Sequence, residues 1–200
     1  MHIIDIKGYG RRDVLAEALG CDAGVLEAPL SALLEAGLLE ELRMGLRLSE
    51  AGREHAGAFL AAQRAGGDAA AMAAFYERFE PLNHGYKRAM SRWQVRETDE
   101  GPQPNDHGDA DYDAAVLEAM FAPHGELMPE LQALAPTFPL VELYAQRLQR
   151  ARDRVAAGER RYVSAPLIES YHTVWFELHE ALIRLAGRTR AAEADAGRAL

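Results

Sequence analysis

The chain has 200 residues, of which 48% are hydrophobic and 26% charged, and its formal net charge is −9. This composition excludes a disordered chain and predicts one or two globular domains. The single cysteine excludes an internal disulfide framework. Because the sequence contains no apolar run of membrane-spanning length and no signal peptide, we expect a cytoplasmic protein with no membrane segment.

The N-terminal residues predict a short strand. Ile3, Ile4 and Ile6 are β-branched, and they precede the turn-forming sequence Gly8-Tyr9-Gly10. We expect this strand to pair with a β-hairpin that follows later in the chain.

Residues 14–39 have the spacing of a helix-turn-helix. Apolar residues recur on one face of both predicted helices, Gly20 permits the tight turn between them, and Asp22 can N-cap the second helix. Two short strands joined by a turn at Met44-Gly45, and then another helix, are predicted at residues 38–42, 46–48 and 49–66. The predicted N-terminal domain, residues 1–66, is a winged helix-turn-helix with a small β-wing.

Residues 13–64 resemble the winged-helix domain of bacterial MarR-like transcriptional regulators. The sequence LSEAGR at residues 48–53 occupies the place of that family's wing-exit pattern. The resemblance implies a homodimer that binds DNA through the second helix and the wing.

The outward positions of the second helix suit DNA poorly. Base edges and phosphates require hydrogen-bond donors and positive charge, whereas these positions read Gly24, Val25, Glu27, Ala28, Pro29, Ser31 and Ala32. Pro29 is also expected to kink the helix. We therefore predict DNA contacts at Ser31 and at the wing residues Arg43 and Arg47. Since residues 1–66 carry seven basic and ten acidic side chains, a packing or protein-docking module is the alternative.

Residues 67–200 predict an all-α domain for ligand sensing or dimerisation. Helices are expected at residues 69–93 with an interruption near Pro81, and at 112–121, 125–134, 140–157 and 166–186. Glu97–Asp111 is predicted to be a long polar loop, and residues 97–113 contain seven acidic side chains and no lysine or arginine.

An arginine stripe recurs on one face of the helix at residues 140–157. It consists of Arg147, Arg150 and Arg154. We expect this stripe to hold the acidic segment of the same or another subunit, because their charges are complementary. Binding of the phosphates of a nucleotide or metabolite is the alternative.

Polar and aromatic residues concentrate at three places in this second domain, and we predict that they line a pocket for an organic ligand. The candidates are Asn83, His84, Lys87, Trp93, Asn105, His107, His172, Trp175 and His179. Helical spacing puts His172, Trp175 and His179 on one inward face, so a plain core of hydrogen-bonded histidines is the alternative.

Glu169 and His172 have the Glu-x-x-His spacing of helical metal sites. A di-iron site requires a second such helix, and Glu80 with His84 is the nearest substitute. The sequence also lacks a nucleophile triad and a phosphate-binding glycine loop. We therefore expect no metal, no cofactor and no enzymatic activity.

Three sequences carry a second resemblance: WQVR at residues 93–96, PNDH at 104–107 and SYHTVWFELHE at 170–180. They are similar to an actinobacterial group of winged-helix proteins associated with phosphoenolpyruvate-utilising, pyruvate phosphate dikinase-like enzymes. Two functions are thus expected. The first is a MarR-like transcriptional regulator with a helical sensor domain, and the alternative is a non-DNA-binding regulatory or docking module for such a metabolic enzyme.

Overall fold

A computed structural model describes residues 1–195, and within them the chain is mostly helical, as predicted. It contains two small antiparallel hairpins, of which the second lies in the domain that was predicted to be all-α, so that part of the prediction is wrong. The last five positions of the predicted second domain, 196–200, lie outside the described residues. The elements are α1 His2–Lys7, α2 Arg12–Leu19, α3 Ala23–Glu35, β1 Leu39–Leu42, β2 Gly45–Leu48, α4 Glu50–Gly66, α5 Ala69–Gln94, β3 Val95–Thr98, β4 Gly101–Pro104, α6 Ala110–Leu134, α7 Pro139–Ala156, α8 Arg161–Ser164, α9 Tyr171–Leu185 and α10 Arg190–Asp195.

Helices α2 and α3, the first hairpin and helix α4 follow one another in the predicted order. α2 ends at Gly20, which adopts a left-handed conformation with φ 66° and donates its N–H to the carbonyls of Ala16 and Glu17. Asp22 occupies the N-cap position of α3, although its side chain accepts no hydrogen bond there. α3 continues through Pro29 to Glu35.

The predicted N-terminal strand is wrong, because its isoleucines lie in helix α1. Ile3 and Ile4 are buried in the apolar cluster of the N-terminal part, and this burial outweighs the strand propensity of isoleucine. Pairing with the hairpin is made instead by Gly10, which exchanges two backbone hydrogen bonds of 2.7 and 2.9 Å with Leu46.

The first hairpin supplies three leucines to the N-terminal core. Leu39 pairs with Leu48, Glu40 pairs with Arg47, and Leu46 is fully buried. Helix α4 begins at Ser49, whose hydroxyl accepts a hydrogen bond from the Gly52 N–H over 3.0 Å.

Helices α5 and α6 are each continuous, which corrects two predicted interruptions. α5 passes through Pro81 without a break, and α6 spans both helices that were predicted at residues 112–121 and 125–134. Pro81 removes a hydrogen bond to the carbonyl of Glu77, but Pro81 is exposed, so solvent can hydrate that carbonyl. Packing of α5 against α6 compensates for the backbone hydrogen bonds that the prolines remove.

Two further differences lie in loops. The predicted polar loop Glu97–Asp111 overlaps the hairpin of β3 and β4, which begins at Val95 and turns at residues 99–100. The final predicted helix begins at Tyr171 rather than Pro166, because Leu167 has a left-handed φ of 66° and Ser170 caps the helix at the Thr173 N–H.

The described residues contain two apolar clusters. The smaller one draws on α1 to α4 and ends at Ala56, and the larger one begins at Leu60 and extends through α9. Helix α4 and the half-buried Leu143 contribute to both. The domain boundary at residues 66 and 67 stays a prediction.

Candidate functional site

Asn83 joins helices α5 and α9 at the centre of the larger core. The indole Nε1 of Trp175 donates to Asn83 Oδ1 over 3.1 Å, and Asn83 Nδ2 lies 3.5 Å from Nδ1 of His179. The Trp175 ring stacks on Tyr86 with 4.3 Å between centroids. Three of the predicted ligand residues, Asn83, Trp175 and His179, therefore form one buried network.

The far side of the His179 ring meets a buried carboxyl. His179 Nε2 lies 3.3 Å from Tyr76 Oη and 3.3 Å from Glu80 Oε1. Burial, with the charges of Lys87 and Arg190, lowers the pKa of His179 from 6.5 to about 4, and burial raises the pKa of Glu80. His179 is therefore neutral at pH 7, and its contact with Glu80 is a contact of a neutral imidazole.

His172 and Lys87 lie at the edge of this network. His172 is half-buried, and its Nδ1 is 3.2 Å from Tyr86 Oη. Lys87 is half-buried one turn along α5 from Asn83. His84 is exposed one turn along α5 from Glu80. Helix α9 thus turns Trp175 and His179 inward as predicted.

The remaining predicted ligand residues form a separate cluster at the end of α5. Trp93 packs on His107 with 4.3 Å between ring centroids, and Asn105 Nδ2 donates to the Trp93 carbonyl over 3.1 Å and to Asp113 Oδ1 over 3.0 Å. Trp93 is ten residues from Asn83, which is about 15 Å along the helix axis. The predicted single pocket is thus two polar clusters, and Asn105 fastens the second hairpin to the start of α6.

The Glu169 and His172 pair does not converge on one point. Glu169 accepts a hydrogen bond from Arg147, whereas His172 contacts Tyr86 on α5. Among residues 1–195, no group of three or more histidine, cysteine or acidic side chains is arranged to hold a metal ion.

The predicted DNA-contact residues all reach solvent on the N-terminal part. Ser31 is exposed on α3, and Arg43 is exposed at the turn of the first hairpin. Arg47 is exposed on β2, where its guanidinium pairs with Glu40 over 2.7 Å. Arg12 likewise pairs with acidic side chains, which are Glu41 at 2.6 Å and Glu27 at 3.8 Å.

Protein-family models, curated proteins and solved structures give no match to this chain. Both resemblances noted in the sequence therefore stay predictions. In the described residues, no helix is both long enough and apolar enough to cross a membrane.

The arginine stripe on α7 does not hold the acidic segment of its own chain, so that intramolecular prediction is wrong. Arg147 is fully buried and donates to Glu169 Oε2 over 2.7 Å and to Glu177 Oε2 over 2.6 Å. Arg150 donates to the Ala18 carbonyl over 2.6 Å, and Arg154 pairs with Glu159 over 2.8 Å. The acidic segment is paired elsewhere, by Arg96 to Asp109 and by Arg160 to Asp113.

Arg147 is the centre of a buried ionic network that includes the N-terminal part. Lys7, in the last turn of α1, lies 3.0 Å from Glu169 Oε1 and 2.5 Å from Glu177 Oε1. The two carboxylates are thus shared by one cation from α7 and one from α1. Such a network is specific in geometry, because a buried charge that loses its partner is costly.

Other polar contacts also cross between the N-terminal and helical parts. The Tyr162 hydroxyl donates to Glu17 Oε1 over 2.7 Å, and His2 Nε2 is 2.9 Å from Tyr144 Oη. Burial, together with the charge of Arg184, lowers the pKa of His2 to about 3, so this ring is neutral. The interface therefore includes several oriented hydrogen bonds and ion pairs around α7.

A cleft of about 380 Å³ opens between the turn that joins α2 to α3 and helix α7. Its wall on α7 contains all three stripe arginines, and its other wall contains Glu17, Gly20, Cys21 and Asp22. The sequence pattern identified the stripe but assigned it the wrong partner. Arg147 lies on the same face of α7 as the buried Tyr144, Leu148 and Ala151, and this spacing was the available sign that it is an interior residue.

Proposed function

We propose that this chain is a MarR-like winged-helix regulator: residues 1–66 are its output domain, and residues 67–200 form a helical domain that senses a small molecule. The supporting observation is the polar interface between the two parts, in which Arg150, Tyr162 and Lys7 make oriented contacts across the junction. Hydrogen bonds and ion pairs depend on geometry, so a ligand that moves α7 changes the orientation of α2 and α3.

DNA is the proposed target of the output domain, in a cytoplasmic homodimer that presents two such domains to successive half-sites. Ser31 is the candidate contact on α3, and Arg43 and Arg47 are the candidate phosphate or minor-groove contacts on the hairpin. Arg47 must exchange Glu40 for a phosphate when it binds. This exchange makes binding weak and strongly dependent on salt.

The test is a titration of the gene's own labelled upstream DNA, followed by fluorescence anisotropy at several salt concentrations. The double variant Arg43→Ala with Arg47→Ala should reduce the salt slope by about two, one for each lost phosphate contact. Arg152→Ala is the matched control, since it removes an exposed arginine from α7. If the double variant binds like the parent while Ser31→Ala abolishes binding, the proposed hairpin contacts are wrong.

Ion pairing on the output domain favours a second candidate, a regulatory or docking module for a phosphoenolpyruvate-utilising enzyme. Arg12 and Arg47 are paired with acidic side chains, whereas α3 presents an exposed Val25 and Glu27 to solvent. An apolar side chain beside a carboxylate suits a protein surface better than a phosphate backbone.

The two candidates differ in the partner that the chain binds, and Val25→Asp tests the docking surface on α3. Co-elution of the chain with that enzyme in gel filtration should be lost in the variant if α3 docks to protein. Retained DNA binding by the parent, together with no co-elution, supports the DNA candidate and rejects docking.

A further inference from the structure

The cleft between the α2–α3 turn and α7 contains guanidinium nitrogens of Arg147 and Arg150 that bind no acidic side chain, although Glu169, which pairs with other atoms of Arg147, also lines it. Arg147 Nη1 is buried and has no hydrogen-bond partner in the described part of the chain. For Arg150, the only hydrogen bond found among residues 1–195 joins Nη2 to the Ala18 carbonyl, and no carboxylate there lies within ion-pair distance of it. The planar fork of a guanidinium binds a phosphate or a carboxylate through two such donors.

We propose that this cleft is a binding site for a small organic anion, whose phosphate or carboxylate group is held by Arg147 and Arg150 on α7. The volume of about 380 Å³ lies near the lower end of the range of small-molecule pockets, which is roughly 300–1,000 Å³. The site therefore admits a metabolite of a few carbon atoms with one anionic group.

The end of α2 leaves room for the Arg150 guanidinium. A Cβ atom at Gly20 would stand 3.1 Å from Arg150 Nη1, so glycine at this position lets the guanidinium lie against the backbone at the cleft. Burial, and then the charge of Arg147, lower the pKa of Arg150. A bound anion offsets the unfavourable placement of this charge.

The acidic side chains on the opposite wall of the cleft determine which other groups the ligand can have. Glu17 accepts a hydrogen bond from Tyr162, and Asp22 is exposed at the rim. These carboxylates repel a second anionic group and accept hydrogen bonds from hydroxyl or ammonium groups. A ligand with an anionic group at one end and hydroxyl groups at the other fits both walls.

Cys21 provides a direct readout, because the chain's single cysteine lines this cleft and is half-buried. The rate of alkylation of Cys21 by iodoacetamide reports occupancy without any requirement for DNA. The role of the cleft as the site of the sensed molecule rests on the proposed regulator. Anion binding itself is measured without DNA, so either proposal can fail while the other holds.

The probes are glycerol 3-phosphate, glycerate and glycerol, which share a three-carbon skeleton and differ in the charged group. We expect glycerol 3-phosphate, glycerate or both to slow alkylation of Cys21 in a saturable manner, and glycerol to have no effect. Protection by one anion alone identifies phosphate or carboxylate as the recognised group. If neither anion protects Cys21, the proposal is overturned.

Two arginine variants locate the site. Arg150→Gln should weaken the protecting anion by about tenfold or more, because a charge-assisted pair is lost. Arg154→Gln, at an exposed cleft residue, should weaken it by about threefold. Arg152→Gln on the same helix but outside the cleft should leave the Kd unchanged.

Equal affinities in the parent, Arg150→Gln and Arg154→Gln would place the anion elsewhere and overturn the proposal. Circular dichroism checks the fold of Arg150→Gln, since Arg150 also binds the Ala18 carbonyl. If that variant is unfolded, Arg154→Gln decides the outcome, with an unchanged Kd counting against the site.

Discussion

Replacing Arg147 with methionine should destabilise the fold by about 3–5 kcal/mol, which is the usual cost of breaking a buried ion pair. The Arg147 side chain is fully buried and makes two charge-assisted hydrogen bonds, of 2.7 and 2.6 Å, to Glu169 and Glu177. Each such bond contributes about 1.5–3 kcal/mol. Lys7 stays within ion-pair distance of both carboxylates and offsets part of the loss, so we expect the lower half of this range.

Urea unfolding at pH 7, followed by the fluorescence of the two buried tryptophans, measures this change in the free energy of unfolding. Arg152→Met is the control, because it removes an exposed arginine from the same helix and should change stability by less than about 0.5 kcal/mol. Adding Glu169→Gln to Arg147→Met should recover more than half of the loss, since one cation and one carboxylate then remain. A loss below about 1 kcal/mol for Arg147→Met would refute the network as a stabilising element.

Three further predictions concern other buried positions. Acidification from pH 7 to pH 4 should destabilise the fold, because the pKa of His179 is about 4 in the folded chain and 6.5 in the unfolded chain. Between these values only the unfolded chain binds the proton. The contribution of His179 to the free energy of unfolding is therefore fully present above pH 6.5 and declines as the pH falls towards 4. The raised pKa of Glu80 acts in the opposite sense, and His179→Gln should reduce the pH dependence of the melting temperature; an unchanged dependence would contradict this assignment. His179→Ala should cost about 1–3 kcal/mol, and the half-buried His172→Ala should cost less; a rise in melting temperature with a metabolite or with Zn²⁺, present in the parent and lost in both variants, would show a pocket rather than a core. Gly52→Ala should destabilise α4 severely, because the new methyl group would lie 2.0 Å from a backbone carbonyl oxygen, whereas Gly57→Ala on the same helix meets no atom within 4 Å and should stabilise by about 0.5–1 kcal/mol; equal melting temperatures would contradict the close packing of α4.

The sequence predicted helix ends correctly where they depend on residues that are close in the chain. Gly20 and Ser49 terminate and cap helices through contacts within a few residues, so the helix-turn-helix spacing and the start of α4 follow from the sequence. Ile3 and Ile4 were misassigned because their state depends on burial against distant residues, which strand propensity does not include. The interruption predicted at Pro81 was wrong for the same reason, because packing of α5 against α6 compensates for the backbone hydrogen bond that proline removes.

The inward face of α9 was predictable from the sequence, but the partners of its side chains were not. Helical spacing correctly predicted that Trp175 and His179 face inward. It could not show that Trp93 lies in a different cluster from Asn83. Charge complementarity assigned Arg147 to an acidic segment, whereas the folded chain supplies Glu169 and Glu177 from the region of α9. Long-range pairing of charges is decided by tertiary packing, and many acidic side chains in one sequence offer equivalent partners.

The proposed function requires that the N-terminal part binds DNA under the control of its polar interface with the helical part. A titration of labelled upstream DNA with the parent and with Tyr162→Phe tests this requirement, because the variant loses the hydrogen bond to Glu17 but keeps the proposed α3 and hairpin contacts. We expect salt-sensitive binding by the parent and a change in Kd of about fivefold or more in the variant, which corresponds to a coupling of roughly 1 kcal/mol. Absence of binding at low salt, or identical affinities of the parent and Tyr162→Phe, would contradict the proposed function.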